Sequence, residues 1–101
     1  MTIKVFISQP MNGKSNDEIE LERKRAIEDI EEEFDTDEII ILDSFFKDAP
    51  HNAKPLWFLG SSLRILSDAD IAYFCNGWEQ ARGCKIEHEC AKEYGIKIIE
   101  A

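Results

Sequence analysis

The chain has 101 residues, 44% of them hydrophobic and 33% charged, which suits one globular domain spanning 1–101 with a real but modest core. Its net charge of −9 lacks the clustered Lys and Arg that a nucleic-acid polymer demands, although a single nucleotide held locally is not excluded. No apolar run approaches the roughly 20 residues of a membrane span, and Met-Thr-Ile-Lys leads straight into a strand pattern, so a cytoplasmic protein without a membrane partner is expected.

Residues 2–8, TIKVFIS, alternate and then run apolar, the pattern of a central buried strand with Ile3, Val5, Phe6 and Ile7 in the core. Gln9-Pro10-Met11-Asn12-Gly13-Lys14 breaks the pattern as a tight loop, and Ser15-Asn16-Asp17-Glu18 fits a capping box that opens a long helix. Free N–H groups at such a terminus, with Ser8, Lys14 and Ser15 near, suit a phosphate or another anion. The same run nearly satisfies the phosphate-loop pattern GxxxxGK[ST], with Ser8 where the first glycine belongs and Asp43 as a candidate Walker B aspartate. Against that, Pro10 removes a donor from the cradle. An ordinary turn with a helix cap is the plain alternative.

Residues 16–34 read as a helix with Ile19, Arg23, Ala26 or Ile27, Ile30 and Phe34 on one face. Its other face, which includes Glu22 and Asp29, reads as a solvated acidic surface. Residues 38–42 form a second strand. The connection 43–54 carries Phe45 and Phe46, which close the core edge, join a subunit interface or lie over a ligand base. Pro55 starts a helix running to about Ser67, with Trp57, Leu59, Leu63 and Leu66 available to the core.

Residues 68–99, DADIAYFCNGWEQARGCKIEHECAKEYGIKII, read as strand, glycine-bearing loop, helix, turn and strand. With a helix opening near Glu79 or Gln80, the core face recurs at Gly83, Ile86, Cys90 and Tyr94. Glu87 then lies on the edge of that face, where it either bends its head to solvent or stands buried at a cost that calls for a role. Asn76-Gly77 breaks the chain after an apolar strand, at the carboxyl end where open parallel sheets bind ligands. A carboxylate just inside the next helix overlooks that crevice.

Cys75, Cys84 and Cys90 form no CxxC pair and make a poor disulfide framework, so they read as small apolar fillers, with a reactive thiol at Cys84 the less favoured option. His88 stands between Glu87 and Glu89, but adjacent helical side chains point about 100° apart and do not share one ion easily, so no metal site is expected.

The run Ala69-Asp70-Ile71-Ala72, then Gly83-Cys84-Lys85-Ile86-Glu87, Ala91 and Gly95-Ile96-Lys97-Ile98-Ile99 resembles the nucleoside 2-deoxyribosyltransferase superfamily, which includes nucleotide N-glycoside hydrolases and small phage and bacterial relatives. The family signature is an Ala-Asp strand, a Gly-Thr-x-x-Glu helix start and a Gly-Lys-x-(Ile/Val) strand. The resemblance implies that Glu87 is the nucleophile and Gly83 the glycine before it. It also implies that Ser8, Gln9, Met11, Asn12 and Gly13, with Lys14, hold sugar or phosphate, facing Asn76, Gly77 and Trp78 across the crevice. Trp57, Phe46 or Trp78 is then available to stack on the base. No metal or organic cofactor is implied, and a homo-oligomer, dimer or larger, is.

Two family carboxylates are replaced. Ser62 occupies the position of an aspartate two turns before the Ala-Asp strand, and Ala81 that of a second acid; Glu79 or Asp68 are the candidate substitutes. Asp70 reads as structural, capping the preceding turn or starting the strand.

Strands near 2–8, 38–42, 70–75 and 96–99 separated by helices indicate a parallel α/β sheet of order 2-1-3-4 with helices on both faces, flavodoxin- or Rossmann-like. The expected activity is cleavage or transfer of the N-glycosidic bond of a nucleoside or nucleoside 5′-monophosphate. The alternatives are a non-catalytic nucleotide-binding protein using the same pocket and a small interaction protein whose pocket is vestigial.

Overall fold

A computed structural model describes residues 2–34, 38–46 and 48–101. Strands and helices alternate along it: β1 (Thr2–Ser8), α1 (Asn16–Glu33), β2 (Glu38–Ile41), α2 (Pro55–Leu66), β3 (Ile71–Phe74), α3 (Arg82–Glu93) and β4 (Lys97–Glu100). The strands pair in parallel in the order β2-β1-β3-β4, the Rossmann-like α/β arrangement expected from the alternation.

Because β1 is flanked on both sides, successive residues of its apolar run serve opposite faces of the sheet. Val5 and Ile7 pack with Ile71, Tyr73 and Cys75 against Ala26 and Ile30 of α1. Phe6 packs with Ala72 and Phe74 against Leu66 of α2 and Ala91 of α3. Full burial of side chains such as Phe6, Phe74 and Ile7 contributes about 1.5–3 kcal/mol each. One helix therefore covers one face and two cover the other, as right-handed crossovers in this strand order require.

Asp70 pins the register of the two central strands. Its Oδ2 accepts the Lys4 N–H at 2.9 Å, and its own N–H donates to the Lys4 carbonyl at 2.8 Å. Ser8 then stands opposite Phe74. A slip of one residue would turn Ser8 to the other face.

The start of α1 is the expected capping box: the Ser15 hydroxyl accepts the Glu18 N–H at 3.2 Å and the Glu18 carboxylate accepts the Ser15 N–H at 3.0 Å. The expected face of α2 holds at Leu63 and Leu66 but not at its start, and that of α3 is shifted. In α2 the buried residues are Ser62 and Leu66, while Leu56 is 77% exposed and Trp57 leans outward in edge-to-face contact with Phe46 and Phe58. In α3 they are Cys84, Glu87 and Ala91, while Ile86 is 38% and Tyr94 84% exposed. A 3₁₀ turn at Trp78–Gln80 delays the α-helix to Arg82. The small side chains of Cys84 and Ala91 let α3 approach the sheet, and this rotates Ile86 and Tyr94 outward. Glu87 consequently lies within the buried face instead of at its edge. No helix among the described residues is long and apolar enough to cross a membrane.

Candidate functional site at the carboxyl ends of β1 and β3

β1 and β3 are neighbours whose following helices leave in opposite directions, α1 toward β2 and α3 toward β4. Their carboxyl ends border the crevice that such a switch in strand order opens. Two loops rim it, residues 9–15 and 75–81, and they leave the sheet side by side. The Cys75 N–H donates to the Ser8 carbonyl at 2.9 Å. Gly77 has φ +89°, which glycine adopts without strain, and a Cβ there would meet Pro10 Cγ at 3.7 Å.

Glu87 reaches this end of the sheet from α3 and is 7% exposed. The Ser8 hydroxyl donates to its Oε1 at 2.6 Å. Ser62, from α2, supplies a second hydroxyl contact. Burial pushes the Glu87 carboxyl above the usual range, and the hydrogen bonds from Ser8 and then Ser62 pull it partly back. No cation pairs with it among the described residues. An ionised carboxylate offers about four lone-pair sites, so two hydroxyls leave acceptor capacity for a ligand. In so dry a setting its bond to a hydroxyl, or to developing positive charge, is stronger than in water.

Cys84 adjoins the same group. Burial, opposed by a hydrogen bond with Ser8 and reinforced by the Glu87 charge, pushes its thiol up to about 11. Cys75 is pushed up to about 12, again chiefly by burial. A thiol raised so far above neutral pH disfavours a reactive thiolate at Cys84.

The α1 side of the rim is tied together by its own side chains. Buried Gln9 donates from Nε2 to the Ile19 carbonyl and to Glu22 Oε1, each at 3.1 Å, and accepts from Arg23 Nη1 at 3.5 Å. Arg23 also donates to Ser44 Oγ at 3.2 Å and to the Leu42 carbonyl at 2.8 Å, and burial lowers its guanidinium from the usual value. Lys14 pairs with Glu22 at 3.1 Å. Met11 is half-buried, with its carbonyl accepting the Lys14 N–H at 3.1 Å, and Asn12 and Gly13 are exposed at the tip. The capping box and the acids Asp17 and Glu18 make the start of α1 a poor seat for a phosphate. At α3, by contrast, no side chain among the described residues caps the start, and its first turn has no acid.

On the opposite rim Asn76 and Gly77 are exposed. Trp78 is half-buried and stacks on His88 with centroids 3.9 Å apart and planes 7° from parallel, while His88 Nε2 meets Glu100 at 2.9 Å. One face of Trp78 is therefore already covered. Gly83, one turn before Glu87, has open space where a Cβ would stand.

Ser8, Ser62 and Glu87 are thus brought together, whereas Gln9 and Lys14 turn toward α1. Arg23 and Ser44 were not singled out from sequence as members of this region, although each left a trace. Arg23 is the lone charge on the apolar face of α1, and Ser44 follows the end of β2 as Ser8 ends β1. Glu22, read as solvated, instead holds the first loop, while Asp29 is exposed as expected and also accepts the Tyr73 hydroxyl at 3.0 Å. Two open depressions along α1, one lined by Glu28, Asp29, Glu31 and Glu32 and the other including Arg23, Lys24 and Asp43, do not include Glu87. Among the described residues no group of three or more His, Cys, Asp or Glu is placed to hold a metal ion.

A model of the family described as "Domain of unknown function (DUF4406)" matches residues 3–100, and the chain belongs to that family. No curated protein and no solved structure matches it.

Proposed function

We propose that this DUF4406 member cleaves or transfers the N-glycosidic bond of a nucleoside or nucleoside 5′-monophosphate, with Glu87 as nucleophile. The observation that carries this reading is the carboxylate itself, buried at the carboxyl end of the central strands against two serine hydroxyls. A sugar passing through an oxocarbenium-like transition state supplies the positive partner that such a group lacks. The resemblance of Gly83 to Glu87, and of the flanking strands, to nucleoside 2-deoxyribosyltransferases points the same way.

In this mechanism a Glu87 oxygen attacks the anomeric carbon, and the C1′–O bond forms as the C1′–N bond breaks. The base leaves with the bonding pair and takes a proton from water. Water, or a second base, then displaces Glu87 from the glycosyl ester and restores its carboxylate. Ser8 orients the carboxylate by its bond to Oε1. Residues 10–13 and 76–78 hold the sugar, Gly83 leaves room above the nucleophile, and a second copy of the chain closes the pocket.

Ser62 favours a second reading. A hydroxyl stands beside Glu87 where the resemblance leads one to expect an aspartate, and burial favours the protonated, non-nucleophilic form of Glu87. A protein that senses or sequesters a nucleotide needs the crevice and not the turnover.

Incubation with ribo- and deoxyribonucleosides and their 5′-monophosphates, with free base followed by chromatography, separates the two. The expected result is base release that falls at least about a thousandfold in Glu87→Gln. Added acceptor base then distinguishes transfer from hydrolysis. Absence of release from every substrate, with one of them still raising the melting temperature, sinks the catalytic reading and leaves the binding one.

A further inference from the structure

We infer that Arg23 is the positioning residue of the first crevice loop: it ties the ends of β1 and β2 to Gln9, and through Gln9 to the Lys14–Glu22 pair, so that residues 10–13 are held in one arrangement. The catalytic consequence of this role rests on the reading proposed above; the structural role does not.

Arg23 Nη2 reaches the Leu42 carbonyl, just past β2, at 2.8 Å. Nη1 reaches Ser44 Oγ at 3.2 Å, and that hydroxyl donates to the Ile7 carbonyl of β1 at 2.8 Å. Nη1 also meets Gln9 Oε1 at 3.5 Å. One planar fork thus joins α1 to the ends of two strands, a geometry that a lysine ammonium cannot reproduce in full. Gln9 and Ser44 are each 5% exposed, so water cannot readily replace a lost donor there.

The orientation of Gln9 follows. With Oε1 turned to Arg23, its Nε2 faces the Ile19 carbonyl and Glu22, and Glu22 in turn receives Lys14 Nζ. Gln9 and Lys14 are the two ends of the loop. Between them the backbone is closed by the Lys14 N–H bond to the Met11 carbonyl at 3.1 Å. The anchoring side chains therefore decide where the tip stands, and Arg23 decides where Gln9 stands.

Arg23→Met and Arg23→Lys in the full chain, read by amide hydrogen exchange, test this. The Lys14 and Ser15 amides of Arg23→Met are expected to exchange about tenfold faster while the β3 amides of Ala72 and Tyr73 stay within about twofold, with Arg23→Lys between wild type and Met. In the glycosidic assay, KM is expected to rise about tenfold with kcat held within about threefold. Unchanged exchange at Lys14 and Ser15 in a folded variant overturns the inference. So does uniform acceleration across the chain, which marks a stability effect alone. Should Arg23→Met not fold, Ser44→Ala keeps the guanidinium and removes one acceptor, and about threefold faster exchange at Lys14 is then the expected result, with no change overturning it. A wild type that releases no base fails the glycosidic reading, while the exchange pattern still decides the role of Arg23.

Discussion

On the face of the sheet covered by α1, the buried polar groups at the carboxyl edge include charges of both signs that answer one another; on the face covered by α2 and α3 a carboxylate meets only neutral hydroxyls. Gln9, Arg23, Ser44, Glu22 and Lys14 form a closed set in which a guanidinium and an ammonium are matched by an amide oxygen, a hydroxyl, a main-chain carbonyl and a carboxylate. Ser8, Ser62 and Glu87 form an open one, a carboxylate with two neutral donors. The two sets begin at adjacent residues of one strand end, Ser8 and Gln9, whose side chains go to opposite faces. Chemistry belongs with the open set. A completed network holds a shape, whereas a buried carboxylate with acceptor capacity to spare raises its own proton affinity and waits for a partner.

The largest expected effect lies on the closed side. Gln9→Met leaves Arg23 Nη1, the Ile19 carbonyl and Glu22 each short of a partner, and a loss of about 2–3 kcal/mol is expected in urea denaturation. A loss below about 0.5 kcal/mol would break the contrast by showing that water already fills these roles. Next comes Ser62→Asp on the open side. A second carboxylate beside Glu87 is expected to cost about 2 kcal/mol at neutral pH, and the cost should shrink near pH 4, where the pair holds a proton. Equal stability at neutral pH would mean that the open side is wet.

The smallest effect has the opposite sign. The folded protein raises the proton affinity of Glu87, so it binds that proton more tightly than the unfolded chain does. This contribution to stability is fully present below the ordinary glutamate pKa and is lost as pH rises through the folded value. Glu87→Gln lacks the dependence. Its melting temperature should match wild type near pH 4 and exceed it increasingly toward neutral pH. A variant less stable than wild type at neutral pH would show that the carboxylate is matched after all, and the two faces would then be alike.

Several of these features were legible along the chain. The capping box at Ser15 and Glu18, Pro55 at the start of α2 and the doubly apolar run of β1 are local patterns whose physics does not depend on distant residues. Glu87 could be singled out because its spacing placed it near an apolar stripe. The phase of that stripe could not be read, because bulk is a poor guide to burial where a helix must come close to a sheet. Cys84 and Ala91 face inward and the larger Ile86 and Tyr94 do not. The same reasoning misplaced Trp57, which gathers with Phe46 and Phe58 near the surface while Ser62 goes inside. The closed network had no local signature, since Gln9, Arg23 and Ser44 are separated by more than a dozen residues at each step.

The kinds of element, their order and hence the parallel sheet follow from local sequence, because hydrophobic period and capping are set by neighbours within a turn or two. Which side of α3 is buried, the meeting of Glu87 with Ser8 and Ser62, and the service of Arg23 to two strand ends emerge only on folding. These depend on strand register and on how closely helices pack, and both are settled by contacts between residues far apart in the chain.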